Sequence, residues 1–544
     1  MTAPGPGPTR RGAIATLGAA TILPWRAMAQ PARAGALHAL LVGINAYRKD
    51  PLLGCVNDAR LLEAALRPFA ASMTLLLDRQ ATRAGFDRAW AEVTSRCRAG
   101  DTLWFSFSGH GSRMDERGPC TEQDCMDDFL VFAPFHEREA PREMLIDNEI
   151  NVLLADLGRR GIAVVFAADC CHAGTLTRSV RPAAQRSRRV RTLTGSYSVS
   201  QLLNSLAAEP PPPPEPPQDA LAHVHFFAAG LETEEVPEII YRDRPHGALS
   251  VALATGLSGA AQADRSGEVT VPALAAHALA TVRALAEAQQ TPDFVLGPRA
   301  PVVLLRRAPA GPPALREPAE PPLRLHIDGI APAGFAPPPG AVLATDPAEA
   351  ELIWRPAARE IIGPLGDLLS AEAGPPLLPA AVARQRAVRR VQAWVTAGAI
   401  EIRVERRDPP AGPQTRSAAQ RRNNAAHPRR TPLRLMLEGV RLPNLVVFNL
   451  AGDGTVQALY PNASERPVTP PDGRLVVDDI EVKPPFGADH VIAFAAERPL
   501  QDAAAALAGL DGTRAPLAAV EALAAAAEGG AWRVGLTGLF TREA

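Results

Sequence analysis

Asp169, Cys170 and Cys171 close the apolar run GIAVVFAA, and His110 closes another, DTLWFSFSG. A thiol attacks as its thiolate, and near neutral pH it needs a basic or cationic neighbour to reach that form. A thiol and an imidazole at two strand ends fit a Cys-His pair of nucleophile and base. The chemistry such a pair performs is acyl transfer, which points to a cysteine peptidase.

Bringing the two strand ends together is the task of the segment from 36 to 305. Apolar runs at LHALLVGI, MTLLLD, DTLWFSFSG, GIAVVFAAD and HVHFFAAG, with a last one at APVVLL, alternate with helical patterns such as DARLLEAALRPF and RAGFDRAWAEVTSRC. Strands alternating with helices of this length predict a mostly parallel sheet covered on both faces, an α/β fold with three αβα layers. Right-handed crossovers place the C-terminal ends of such strands on one rim, where α/β folds bind their ligands. His110 and Cys171 then share that rim.

Two irregular stretches interrupt this organisation. From Arg178 to Arg191 there are six arginines, followed by Ser/Thr-rich sequence and the run Pro210 to Pro217, so 178–220 reads as an exposed loop. Residues 306–322, rich in proline and alanine, read as an interdomain linker. Beyond it, 323–500 is β-rich. Leu445 to Asn449 followed by Gly452-Asp453-Gly454 reads as strand, tight turn, strand, and 416–431 as a basic exposed loop. Residues 501–544 form an Ala-rich helical tail with a terminal strand at WRVGLTGLF. This half has no cysteine and no titratable cluster that reads as a site, so it is expected to bind or pack.

A chain of 544 residues holds about two to four domains. Its formal net charge of −1 offers no field for nucleic acid or an anionic membrane. At the N-terminus, Arg10-Arg11 precedes an apolar stretch from Ala13 to Leu23, Pro24 and a small-x-small site at Ala27-Met28-Ala29. Residues 1–29 therefore read as a twin-arginine-type signal peptide, which predicts a periplasmic or secreted protein. That apolar stretch is too short to span a bilayer, and no later one is long enough. All six cysteines lie at or before position 171, which favours chemistry over a distributed disulfide scaffold. Cys120 and Cys125 have a spacing that permits a disulfide, but with His136 they do not make a standard zinc finger pattern.

Ser108-Gly109-His110-Gly111 and Asp169-Cys170-Cys171-His172-Ala173-Gly174 resemble the two signature motifs of caspase-like peptidases, specifically the metacaspase branch in its bacterial form. Ala173 stands where serine is usual. LLVGINAYRKDPLLGCVNDARLL is similar to the family's first strand and the turn into its first helix, and QTPDFVLG to its closing segment. The resemblance covers about 36–305. It implies a caspase-like fold, with Cys171 as nucleophile, His110 as base, and the N–H groups of Gly111 and Cys171 as the oxyanion hole. It also implies an acidic specificity pocket at Cys55, Asp58, Ser108 and Asp169. Two carboxylates there favour a guanidinium, so cleavage after Arg or Lys is expected. As the opening residue of DARLLEAAL, Asp58 also has the chemistry of a helix N-cap.

The same resemblance implies possible calcium binding near Asp127, Asn148 and Glu149, with Arg178 at a position normally acidic. Calcium is otherwise the only cofactor expected. Self-cleavage within 178–191 is a further expectation, as is a monomer acting on peptides or proteins. NLVVFNLAGDGTVQALYPN looks like a β-rich domain of unknown function found behind bacterial secreted peptidases and kinases, a resemblance that implies a sandwich-like fold for 323–500. The opposing reading is a catalytically silent caspase-fold scaffold that binds partners through this C-terminal half.

Overall fold

The computed structural model describes residues 35–115, 126–136, 138–170, 199–207, 209–214, 216–230, 236–261, 267–286, 290–306, 321–363, 368–370, 374–407, 426–462 and 465–543. Its first half is built on a six-stranded sheet. The strands are β1 (Leu37–Gly43), β2 (Ala70–Leu77), β3 (Thr102–Ser108), β7 (Ala163–Asp169), β8 (Val224–Ala228) and β12 (Asp293–Val295). They are ordered β12-β8-β7-β3-β1-β2, all parallel except β12.

These strands are continuous apolar runs because both faces are covered, and alternate side chains go to opposite cores. Leu40, Val42, Leu103, Phe105, Val164 and Phe166 pack on one side with α2 (Arg83–Arg96), α3 (Asp147–Arg159) and α4 (Val199–Leu206). Ala39, Leu41, Trp104, Val165 and Ala167 pack on the other with α1 (Cys55–Leu66), α5 (Ala248–Thr255) and α6 (Val271–Leu285). Thr82 caps α2 by accepting the Gly85 N–H at 2.9 Å, and Thr270 caps α6 in the same way, through Ala273.

Pairing register sets the rim. Gly43 of β1 pairs with Ser108 of β3, and Ser108 with Asp169 of β7, so the three strands end in one row. His110 follows two residues beyond that row. There the chain turns into a smaller antiparallel sheet of β4 (Gly111–Asp115), β5 (Met126–Val131) and β6 (Met144–Ile146).

Some expectations need correction. APVVLL does not join the main sheet: as β13 (Val303–Arg306) it pairs with β11 (Glu268–Thr270), and β12, from QTPDFVLG, forms the sheet edge. Gly297 ends that edge, with no room for a side chain, since a Cβ would sit 2.4 Å from the Val224 carbonyl. The stretch 178–220 is not all exposed loop, because α4 buries Leu202 and Leu206 in the core. Residues 178–198 lie outside the described residues, as do 1–34, Cys120, Cys125 and most of the 306–322 segment. A hairpin of β9 (Glu238–Tyr241) and β10 (Arg244–Gly247) leads into α5.

Among the described residues, the second half holds three sheets. One is β14 (Leu323–Ile327), β15 (Ala341–Leu343), β16 (Leu352–Arg355), β17 (Glu360–Ile362) and β18 (Leu368–Ser370). A second joins β19 (Ile402–Arg406), β21 (Pro432–Leu437) and β24 (Leu475–Glu481). The third runs β20-β26-β25-β22-β23, from β20 (His427–Pro428), β22 (Asn444–Leu450), β23 (Val456–Tyr460), β25 (Ala488–Ala496) and β26 (Trp532–Arg542).

Here too the helices qualify the sequence reading. Amid the β-rich segment lies α7 (Leu378–Val395), which buries Val388, Val391 and Val395 at helical spacing. The Ala-rich stretch supplies α8 (Gln501–Leu510) and α9 (Pro516–Ala526), and its last strand pairs along nine residues with β25. It is thus part of the domain's core and not an appended tail. The two halves meet at α6, whose Ala284 lies in the second half's core while the Gln392 amide donates to its carbonyl at 3.1 Å.

Candidate active site

His110 is fully buried at the end of β3. Its backbone N–H donates to the Tyr47 hydroxyl at 3.0 Å, and that hydroxyl donates to the Val131 carbonyl at 2.9 Å. The Tyr47 and His110 rings lie 4.4 Å apart, centre to centre. Nε2 stands 2.7 Å from the backbone carbonyl of Asp50. A carbonyl only accepts, so Nε2 carries the proton and Nδ1 is the basic nitrogen of the ring. Asp50 presents that carbonyl from a left-handed conformation, at φ 52°. Gly109 is required between strand and histidine, because a Cβ there would fall 2.4 Å from the Tyr47 hydroxyl. Neither Tyr47 nor the Asp50 carbonyl belongs to the motifs; both lie in the turn after β1.

Cys171 lies outside the described residues. Its neighbour Cys170 is buried, and Asp169 at the end of β7 is buried as well. Gly111, the other expected oxyanion donor, opens β4 and pairs with Leu130.

The four expected pocket residues come from three elements. Asp169 accepts from both the backbone N–H and the hydroxyl of Ser250, at 2.8 and 2.6 Å. Ser108, in register with Asp169, has its hydroxyl 3.4 Å from that of Ser250. Asp58 is fully buried in the first turn of α1. Its carboxylate meets the His246 ring nitrogen Nδ1 at 2.9 Å and the Gly247 N–H at 3.0 Å. It is therefore not the N-cap of α1, a position held by Gly54, because the helix begins one turn earlier, at Cys55. Cys55 is buried, and its N–H donates to Asn45 Oδ1 at 2.9 Å.

Asp58, Ser108 and Asp169 thus converge on His246-Gly247-Ala248-Leu249-Ser250, the entry to α5. Sequence reasoning missed this segment, since its only signal is a polar pair spaced four apart beside an otherwise apolar helix. Glu238 of β9 was missed too. Its carboxylate accepts the N–H of Leu53 at 3.1 Å and of Gly54 at 2.5 Å, at the start of α1.

Asp127 on β5 and Asn148 on α3 are both buried. Glu149 meets the Arg83 guanidinium at 3.1 Å and accepts the Ile146 N–H at 3.0 Å, closing the first turn of α3. Asp128 pairs with Arg113 at 2.9 Å, and Asp147, which the sequence reading passed over, accepts the Asp128 N–H at 3.0 Å. Of the three residues expected to hold calcium, Glu149 is thus paired with a guanidinium, that of Arg83. Among the described residues no group of three or more His, Cys, Asp or Glu is arranged to hold a metal ion. Arg178 lies outside them.

Comparison with known proteins finds similarity near the start of the described chain. Residues 37–179 match the family model "Metacaspase, peptidase C14 domain". Metacaspase III c of Phaeodactylum tricornutum is 32% identical over 158 residues, 27% of this chain and 45% of that protein. Inactive metacaspase-4 of Trypanosoma brucei brucei is 28% identical over 165 residues, 28% of this chain and 44% of that protein. The chain thus spans less than half the length of these relatives. Among solved structures, the Drosophila initiator caspase Dronc aligns with 48% of this chain and 80% of its own at 11% identity and a TM-score of 0.28.

Proposed function

We propose that this chain, which carries a metacaspase-type peptidase domain over residues 37–179, is a cysteine endopeptidase that cuts after arginine or lysine. The observation that carries the reading is His110. Its proton is held on Nε2 by the Asp50 carbonyl, which leaves Nδ1 to take the proton of the nucleophile. Cys171 is that nucleophile in this reading. Its thiolate attacks the scissile carbonyl, the oxyanion is held by the N–H groups of Gly111 and Cys171, and the histidine returns the proton to the leaving amine. Water then releases the acyl group from sulfur.

The preference for a basic side chain rests on Asp58 and Asp169, two carboxylates held by donors from one segment. A planar guanidinium pairs with carboxylates better than any neutral side chain. No step runs through calcium. Export by the twin-arginine route follows from residues 1–29, and self-cleavage within 178–191 from its arginines beside the nucleophile. Among the described residues no helix is long and apolar enough to cross a membrane.

The test is turnover of fluorogenic peptides ending in Arg, Lys or Asp by the full chain and by Cys171→Ala. Cleavage of the Arg and Lys peptides by the parent alone is expected. A folded parent that cuts none of them would favour the partner-binding scaffold. That reading gains weight from a relative named inactive at similar identity.

A further inference from the structure

We propose that His246 is a positioning residue for specificity, which sets the charge that the Asp58 carboxylate presents to a basic side chain. This rests on the reading above and names a group outside the motifs. His246 and Ser250 stand four residues apart at the entry to α5, and each holds one acid of the pocket from a different element. Ser250 gives Asp169 two neutral donors, its N–H and its hydroxyl. Asp58 receives one neutral donor, the Gly247 N–H, and one ring nitrogen, His246 Nδ1 at 2.9 Å. The donors differ in kind: His246 brings a titratable ring to Asp58, whereas Ser250 brings an N–H and a hydroxyl to Asp169.

A buried carboxylate stays ionised only when donors replace its lost water. With a neutral imidazole donating Nδ1–H, Asp58 keeps its negative charge, and an incoming guanidinium meets two carboxylates. With an imidazolium there, the Asp58–His246 pair is neutral overall, and the guanidinium meets one. Charged and titratable groups close to His246 include Asp58 from α1 and, from β9, Tyr241, whose ring is edge-on at 5.9 Å, and Glu238, whose carboxylate lies with the His246 backbone against Gly54. Recognition of arginine is then linked to pH through a residue that plays no part in bond cleavage.

The experiment uses the full chain as Cys171→Ala, titrated by calorimetry with an acetylated tetrapeptide amide ending in Arg and with its citrulline counterpart, at pH 8 and pH 6. The Arg peptide should bind roughly threefold more weakly at pH 6, with citrulline unchanged. Adding His246→Ala should weaken Arg binding about tenfold at pH 8. His246→Asn, whose amide supplies a donor without a titratable charge, should restore most of that loss and remove the pH step. It also carries the test if the alanine variant does not fold. Arg binding with an unaltered pH step in folded His246→Asn would overturn the proposal while leaving the peptidase reading intact. Equal binding of Arg and citrulline peptides by Cys171→Ala, with no Arg or Lys cleavage by the parent, would overturn both.

Discussion

Asp58 and Asp169 in the first half, and Arg384, Asp489 and His490 in the second, are all buried ionisable side chains, yet their partners differ in kind. The first pair lies by the C-terminal strand ends, where the chain leaves the sheet, and takes its donors from the entry to α5. The second group is enclosed between α7 and the β25 sheet. Arg384 donates to the Ala451 carbonyl at 3.2 Å, to the Ala488 carbonyl, and to His490 Nδ1 at 2.7 Å. Asp489 accepts the Gly452 N–H at 3.0 Å. Burial pushes the Asp489 carboxyl up to about 7, against the opposing pull of that N–H and of Arg384. Charge at a rim is placed for chemistry, and charge inside a closed layer ties a helix to a sheet. Burial alone does not tell the two apart; the place in the topology does.

Mutation should separate these roles. The largest effect is expected from His110→Ala, which should lower kcat by about a thousandfold, roughly 4 kcal/mol, with little change in unfolding midpoint. Retention of more than a tenth of the parent rate would break the assignment of the base. Next, Arg384→Ala should cost about 3 kcal/mol in denaturant unfolding, because the Ala451 and Ala488 carbonyls and His490 Nδ1 each lose the hydrogen bond that Arg384 donates, while KM for an Arg peptide stays put. A shift in KM instead would make the second half part of the site. Asp169→Asn should raise KM for that peptide by about thirtyfold, near 2 kcal/mol, and move kcat much less.

A smaller effect concerns pH. The Asp489 carboxyl is raised in the folded state, so its stabilising contribution is full below its ordinary value of 3.8 and is lost as pH rises through about 7. Asp489→Asn should therefore flatten the decline in melting temperature between pH 5 and 8. A slope identical to that of the parent would show that the group titrates normally. Smallest of all, chelating calcium should change turnover by less than about twofold, since Arg83 and Arg113 already balance Glu149 and Asp128. Strict calcium dependence would show that these pairs open to a metal.

Much of the first half was legible because its signals are local. DTLWFSFSG and GIAVVFAAD are apolar throughout, which is what strands buried on both faces require, and β22 to β23 around Gly452-Asp453-Gly454 followed its turn residues. Gly454 indeed takes φ 88°. The helix α7 was missed among strand-like segments, although Val388, Val391 and Val395 carry its period. Similarly, the Pro- and Arg-rich surroundings of α4 hid a short helix whose two leucines reach the core.

The sequence by itself determined which groups end β3 and β7, and therefore that His110 and Asp169 belong to one rim. Hydrophobic periodicity and strand ends depend on neighbours a few residues away, so they can be read in line. Only the tertiary structure decided what those groups are bonded to. Asp58 is held by His246, 188 positions distant, and His110 by the Asp50 carbonyl, 60 positions away. Glu149 meets Arg83, 66 positions away, in the same way. A hydrogen-bond partner is chosen by proximity in the folded chain, and many residues of suitable type compete for each one. No local pattern encodes that choice.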